Sequence, residues 1–468
     1  ADALAAAGRR DEAAALYDQI RAADVPKAAR VAAVRGAILV REAAGLPLLL
    51  ELIQSNDPEM FGLSLVLVRE MPGADLTKAL ADRLAGLPAE KQAAVVEALA
   101  DRGDRAAGPA VLALAQKGPA AMRPAAFQAL SRLGDASMLA TLVQAAADAE
   151  GDTAQAAATA LSSMPGKDVD AALVGMVAGG EAKLRRVAIE AAGRRRIAAA
   201  NPALVKAATD PDPSVRQAAL RALGETVALA EMPALVDLLV KSPAQERGAA
   251  EAALAAACAR MSDREASSQT LAERLGQADP EVKAALLRTL GRVGGAKALE
   301  AVRASIKDPN ESVRDLAVRI LADWPDAAAA ADLAALAKSS DNPKYKVLAL
   351  RGYIRLAGQP GVPADQKLAM SKEALGLAQR DEEKKLVLGV LGGVPSPASL
   401  AMVAPFLDHP AMKDEAGAAA VAIGEKLAGR RPAEVAAAMK KVLQVSGNQD
   451  LKNRAAGILA RTEKPEKK

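Results

Sequence analysis

The sequence predicts an all-α chain assembled from about 14 stacked two-helix units. Three observations carry that expectation. Ala is very abundant, aromatic residues are 1% of the chain, and β-branched residues almost never run together, which suits helix over strand. The stretch Asp210–Gly224 reads as a turn followed by a helix with Val215, Ala218, Ala219, Ala222 and Leu223 on one face. Counterparts of Leu220, the anchor of that helix, recur along the whole chain.

Taken in order, residues 1–22 form a first segment in which Gly8-Arg9-Arg10-Asp11-Glu12-Ala13 and Tyr17 resemble part of a tetratricopeptide helix pair, or a capping segment. Residues 23–461 hold the array. Upstream of Leu220, steps of 31 residues reach Ile189, Ala158, Phe127, Val96, Leu65 and Val34. Downstream the steps loosen through Leu254, Leu287, Val318, Leu350, Leu388, Ala420 and Ala456. The widest, from Leu350 to Leu388, contains a loop insertion near 359–366, marked by Gln359-Pro-Gly-Val-Pro-Ala. Residues 462–468 read as a charged tail or linker. The chain begins at Ala1 rather than at Met, which suggests a processed or trimmed piece.

Several anchor helices carry a start signal, and several a close-packing signal. Pro58, Pro213, Pro280 and Pro343 stand seven residues before an anchor, preceded by Asp57, Asp212, Asp279 or Asn342. A side-chain cap followed by proline opens a helix, because the cap accepts an orphan N–H and proline lacks one. Four residues after an anchor stand Gly193, Gly224, Gly291, Gly392 and Gly424, and Cys258 takes the same slot as a small residue where helices meet. A second apolar-periodic stretch lies between anchors, as in Leu46–Gln54, Met138–Ala147, Ala234–Val240, Leu299–Ile306 and Leu400–Leu407. One helix pair cannot bury its own apolar face, but a stack can.

The Asp-Pro-x-x-x-Val-Arg-x-x-Ala pattern of Asp210–Gly224, Asp279–Gly291 and Asp308–Asp323 resembles HEAT repeats of the phycobilisome-lyase type. The resemblance implies a right-handed α-α superhelix whose second helices line a concave face. A narrower resemblance, on Ala322-Asp323-Trp324-Pro325, Tyr345–Tyr353 and Glu382–Gly389, is to HEAT segments of large exported bacterial proteins that carry a 3-keto-disaccharide hydrolase-type domain. It implies a bacterial source and export, with the cytoplasm as the alternative compartment.

Two sets of basic residues are candidates for function. Arg185, Arg216 and Arg314 lie four residues before an anchor, within the apolar arc of the helical wheel. A cation there needs a nearby acid or turn carbonyls, and Asp210 and Asp308 stand in the adjoining turns. HEAT repeats carry a similar Asp/Arg ladder between units. One residue after an anchor, Arg221, Arg288, Arg319 and Arg351 fall on the exposed arc. By the resemblance they form a concave-face binding row, although an ordinary solvated helix face explains them too. Arg194-Arg195-Arg196 follows Gly193, where cations suit a helix C-terminus.

Other chemistry finds little to build on. The net charge of +4 gives no general pull toward nucleic acid or an anionic surface, and stacking platforms for single strands are scarce. One His, in Asp408-His409-Pro410, and one Cys give no metal set or disulfide framework. No catalytic motif is present, no segment is apolar enough to span a bilayer, and no cofactor is expected. The leading expectation is therefore a non-enzymatic scaffold, monomeric or part of a larger chain, binding protein partners through its concave face. The alternatives are an anion- or nucleic-acid-binding solenoid using the arginine row, or a HEAT-like lyase or glycosylase.

Overall fold

A computed structural model describes residues 1–462. All regular structure among them is helical. The chain forms two compact units, Ala1–Leu238 and Leu239 onward, each an all-α solenoid of stacked helix pairs. In the first unit the anchors lie in the helices Lys27–Arg41, Pro58–Glu70, Ala89–Arg102, Arg123–Leu133, Gly151–Ser163, Ala182–Arg194 and Pro213–Thr226. In the second they lie in Arg247–Arg260, Pro280–Val293, Glu311–Ala322, Pro343–Ala357, Asp381–Gly392, Lys413–Leu427 and Gln449–Thr462. Within each unit, consecutive anchor helices pack on one another, and a leading helix covers the core from the other side.

The local causes are those of the repeat. Asp212 accepts from Ser214 N at 2.8 Å, and Asp279 accepts from Glu281 N at 3.0 Å and Val282 N at 2.9 Å. Each cap fixes where its helix begins, and Pro213 or Pro280 fills the first helical position. Val215, Ala218, Ala219, Ala222 and Leu223 are all buried. Small residues let neighbouring backbones approach: a Cβ on Gly193 would sit 2.9 Å from both Cα and Cβ of Ala222. Cys258, in the corresponding slot, is buried, and burial pushes its thiol up to about 11.

Three details differ from the periodic reading. Ala456 is exposed while Ala455 is fully buried, so the last repeat is shifted by one residue. Ala158 and Leu65 are only half-buried. The wide step after Leu350 is absorbed both by the turn at 358–363 and by a leading helix, Ala364–Leu377, that runs for 14 residues.

At the N-terminus, Arg10–Ala22 packs on Lys27–Arg41 through Ala13, Tyr17, Ala33 and Ala37. The Tyr17 ring occupies the space beside Gly36, so this pair shares the stacking logic of the array. Of the expected tail 462–468, Thr462 ends the helix Gln449–Thr462 and residues 463–468 lie outside the described residues.

Candidate functional site

The turns before two anchor helices, one in each unit, are the first places where charged side chains converge. In the first unit the Asp210 carboxylate accepts from Arg185, on the preceding anchor helix, and from Asp212 N at 2.9 Å. Its backbone carbonyl accepts from Arg216 Nη1 at 2.7 Å, and Pro211 O accepts from the same nitrogen at 2.8 Å. The second unit repeats this arrangement. Asp308 takes a 2.7 Å hydrogen bond from Lys283 Nζ and a 2.8 Å one from Asn310 N. Arg314 Nη1 donates to Asp308 O and Pro309 O, both at 2.7 Å. Both pairs are largely buried, with side-chain exposures of 17% and 13% for Arg185 and Asp210, and 18% and 10% for Lys283 and Asp308. Arg185 holds the Asp210 carboxyl below its ordinary value, with the Asp212 N–H adding to the effect. Each aspartate thus ties two successive anchor helices and its own turn into one network.

A second network emerges only in three dimensions. Arg195, at 9% side-chain exposure, donates to Leu161 O at 3.2 Å, to Met164 O at 2.5 Å and to the Asp170 carboxylate. It closes the end of the neighbouring helix, where carbonyls lack intrahelical partners. Arg102 does the same for Val68 O at 3.0 Å and Gly73 O at 2.6 Å, and Arg355 for Ala322 O at 3.0 Å and Trp324 O at 2.6 Å. The sequence places Arg195 at the terminus of its own helix; in the fold it closes the end of the preceding anchor helix. The only sequence signal is a basic residue five or six positions after an anchor, too irregular to stand out.

The exposed arginines are distributed over both units. In the first, Arg221 is 69% exposed and lies 3.8 Å from Glu190. In the second, Arg288 clamps Glu251 with bonds of 2.8 and 2.6 Å, and Arg351 Nε lies 2.8 Å from Glu383. Glu383 is itself buried and takes Arg380 as well; Arg380 first, and then Arg351, hold its carboxyl low against the cost of burial. Arg319 is exposed and lies one turn after Asp315, whose carboxyl is lowered chiefly by Lys344 and Tyr345. The acids that meet Arg288 and Arg351 come from adjacent anchor helices, at offsets a single helical wheel does not reveal. Between Ala89–Arg102 and Arg123–Leu133 the exposed face forms a groove of about 600 Å³, lined by Ala93, Ala94, Glu97, Gln128 and Arg132 among others.

The remaining candidates are structural in their surroundings. Phe127, Trp324, Tyr345 and Tyr353 are buried, and the two tyrosines donate to Asp315 and Glu373, each at 2.6 Å. His409 lies in a turn whose carbonyl accepts from Met412 N at 3.0 Å and Lys413 N at 2.9 Å. Among the described residues no group of three or more His, Cys, Asp or Glu side chains is placed to hold a metal ion. No helix among them is long and apolar enough to cross a membrane.

Comparison with known proteins gives one family. A sequence model of HEAT repeats matches residues 77–162, 169–255 and 268–351, more than half of the chain. No curated protein sequence matches it. Among solved structures, the karyopherin Kap121p bound to Ste12p is similar with a TM-score of 0.46 at 13% identity, over 97% of this chain and 57% of that one. The chain thus spans little more than half of the karyopherin's length. A homology model of the full-length AP-3 complex is similar with a TM-score of 0.47 at 10% identity, over 97% and 93% of the two chains. None of these matches bears on the narrower resemblance to exported hydrolase-linked segments.

Proposed function

The chain belongs to the HEAT-repeat family, and on that premise we propose that it is a non-enzymatic scaffold that binds protein partners through the exposed face of its anchor helices. The supporting observation is the fate of the arginines on that face. Arg288 and Arg351 each meet a glutamate of a neighbouring anchor helix and Arg221 lies 3.8 Å from Glu190, so three of the four arginines have a carboxylate at hand and the row is not a stripe of uncompensated cations. Phosphate-backbone binding needs many cations available for contact. A protein surface needs mixed polarity and room for side chains, and the groove at Ala93, Ala94 and Gln128 supplies both.

Photo-crosslinking tests this reading. A benzophenone side chain placed at Val66 or Gln128, both exposed on anchor helices, is expected to trap discrete protein adducts in the native cell. The same probe at exposed Glu51 or Gln144, on leading helices, is expected to trap few. Equal trapping from both sets, or turnover by the isolated chain, refutes the proposal. If Arg288→Gln together with Arg319→Gln abolishes a salt-dependent nucleic-acid affinity, the anion-binding alternative replaces it.

A further inference from the structure

The acid of this network is missing at several steps; Arg30, Arg216 and Arg314 then donate to carbonyls of the turn before their own helix, but at one such step the cation finds no partner. An acid ten residues before an anchor, Asp210 or Asp308, receives the cation that sits four residues before the preceding anchor, Arg185 or Lys283. At the step from Leu350 to Leu388 the cation is present as Lys346, but the position of the acid is Ala378. Lys346 is half-buried, and its ammonium makes no hydrogen bond and no ion pair. Leaving a cation in that position without a counter-charge costs stability unless something external supplies one.

The interruption opens onto a groove of about 540 Å³, whose lining includes Lys338, Lys346, Val347, Leu377 and Gln379. Its other charges are already matched. Lys344 is bound to Asp315, and Glu383 is shared by Arg380 and Arg351. Lys338, at the end of the helix Ala330–Ser339, has no partner either. The groove therefore keeps two uncompensated lysines beside an apolar strip formed by Val347 and Leu377. By contrast, the groove at Lys283, where the acid is present, also holds Glu273 and Glu300 and has no such surplus.

We propose that this groove binds an acidic peptide segment of a protein partner, with one carboxylate at Lys346 in the position that Asp210 and Asp308 fill elsewhere and a neighbouring apolar side chain over Val347 and Leu377. The proposal rests on the protein-binding reading and adds a second contact to it, away from the exposed arginines. Charge complementarity selects the occupant: a carboxylate completes the missing rung, and the apolar strip distinguishes a peptide from a bare anion.

The test uses the full chain and short, end-blocked, fluorescent peptides that alternate Asp or Glu with Leu, matched to a set in which Lys replaces the acids. Anisotropy is expected to show salt-dependent binding of the acidic set alone. Lys346→Ala is expected to weaken it by about tenfold or more, the range of a charge-assisted hydrogen bond. Ala378→Asp is expected to weaken it equally while raising thermal stability, because an internal carboxylate then occupies the rung. If the acidic peptides do not bind, or bind both variants like the parent chain, the proposal is overturned. The crosslinks at Val66 and Gln128 then decide the broader reading separately. If inorganic polyphosphate binds in a Lys346-dependent manner while the peptides do not, the peptide assignment is overturned in favour of a simple anion site.

Discussion

Replacing Asp210 by Ala strips Arg185 of its carboxylate and leaves the Asp212 N–H without its acceptor. A hydrogen bond to a charged group contributes about 1.5–3 kcal/mol, and breaking a fully buried ion pair costs about 3–5 kcal/mol. Arg185 and Asp210 keep 17% and 13% of their side-chain exposure, so water recovers part of that loss. The expected cost is about 2–3 kcal/mol, with about 2 kcal/mol appearing as coupling in a double-mutant cycle with Arg185→Met. The cycle on Arg288 and Glu251, the former 43% exposed, should give less than about 1 kcal/mol. Because repeat arrays need not unfold in one step, native-state hydrogen exchange is the suitable assay. Amides of Ala182–Arg194 and Pro213–Thr226 should lose about thirtyfold in protection, and those of Lys27–Arg41 should be unchanged. The contribution is also pH-dependent. Arg185 lowers the folded-state value of Asp210 below its ordinary 3.8. The stabilisation is therefore complete above that ordinary value and disappears as the pH falls through the lower folded one. A coupling no larger than that of Arg288 and Glu251 would refute the idea that these aspartates join successive repeats.

Three further outcomes are expected. Gly193→Ala should destabilise by about 1–3 kcal/mol, despite alanine's better helix propensity, because the new Cβ meets Ala222 at 2.9 Å. Gly175→Ala, in the helix Lys167–Ala178 with nothing near its Cβ, should stabilise by about 0.5–1 kcal/mol; urea melts of both variants check the sign. Arg195→Met should cost about 2–3 kcal/mol and loosen the end of Gly151–Ser163, seen as faster exchange near Leu161, since it orphans carbonyls of that helix. Acidification should loosen the Asp381–Gly392 segment once the pH drops below the ordinary 4.5 of Glu383. Its folded value is lowered, so its stabilisation is present above 4.5 and lost beneath it. Glu383→Gln should remove that pH dependence in segment-resolved exchange.

The motif around Leu220 was legible because each of its signals is local. A cap at Asp212, a proline at the first helical position and an apolar face of Val215, Ala218, Ala219, Ala222 and Leu223 depend only on spacing along one helix, and all three are present in the fold. The register failed where local signals are weakest. The last repeat contains two adjacent alanines, and only packing chose Ala455 over Ala456 for the buried position.

Contacts between repeats could not be read in the same way. The wheel placed Arg288 and Arg351 on the exposed arc, where they are, but it could not show Glu251 or buried Glu383 reaching them from neighbouring helices. The role of Arg195 was equally hidden, since the carbonyls it closes belong to another repeat, more than 30 residues away in sequence.

The sequence by itself determined that this chain is a helical array of the HEAT type. Period, caps and apolar faces are short-range properties, and repetition reinforces each of them. Tertiary structure decided which charges are matched within the molecule and which are not, because that depends on the distance between side chains of different repeats. Two nearly identical cations illustrate the point. Lys283 meets Asp308, whereas Lys346, beside Ala378, meets no such acid, and the pairing of a cation with the turn of the following repeat is seen only where one helix pair stacks on the next.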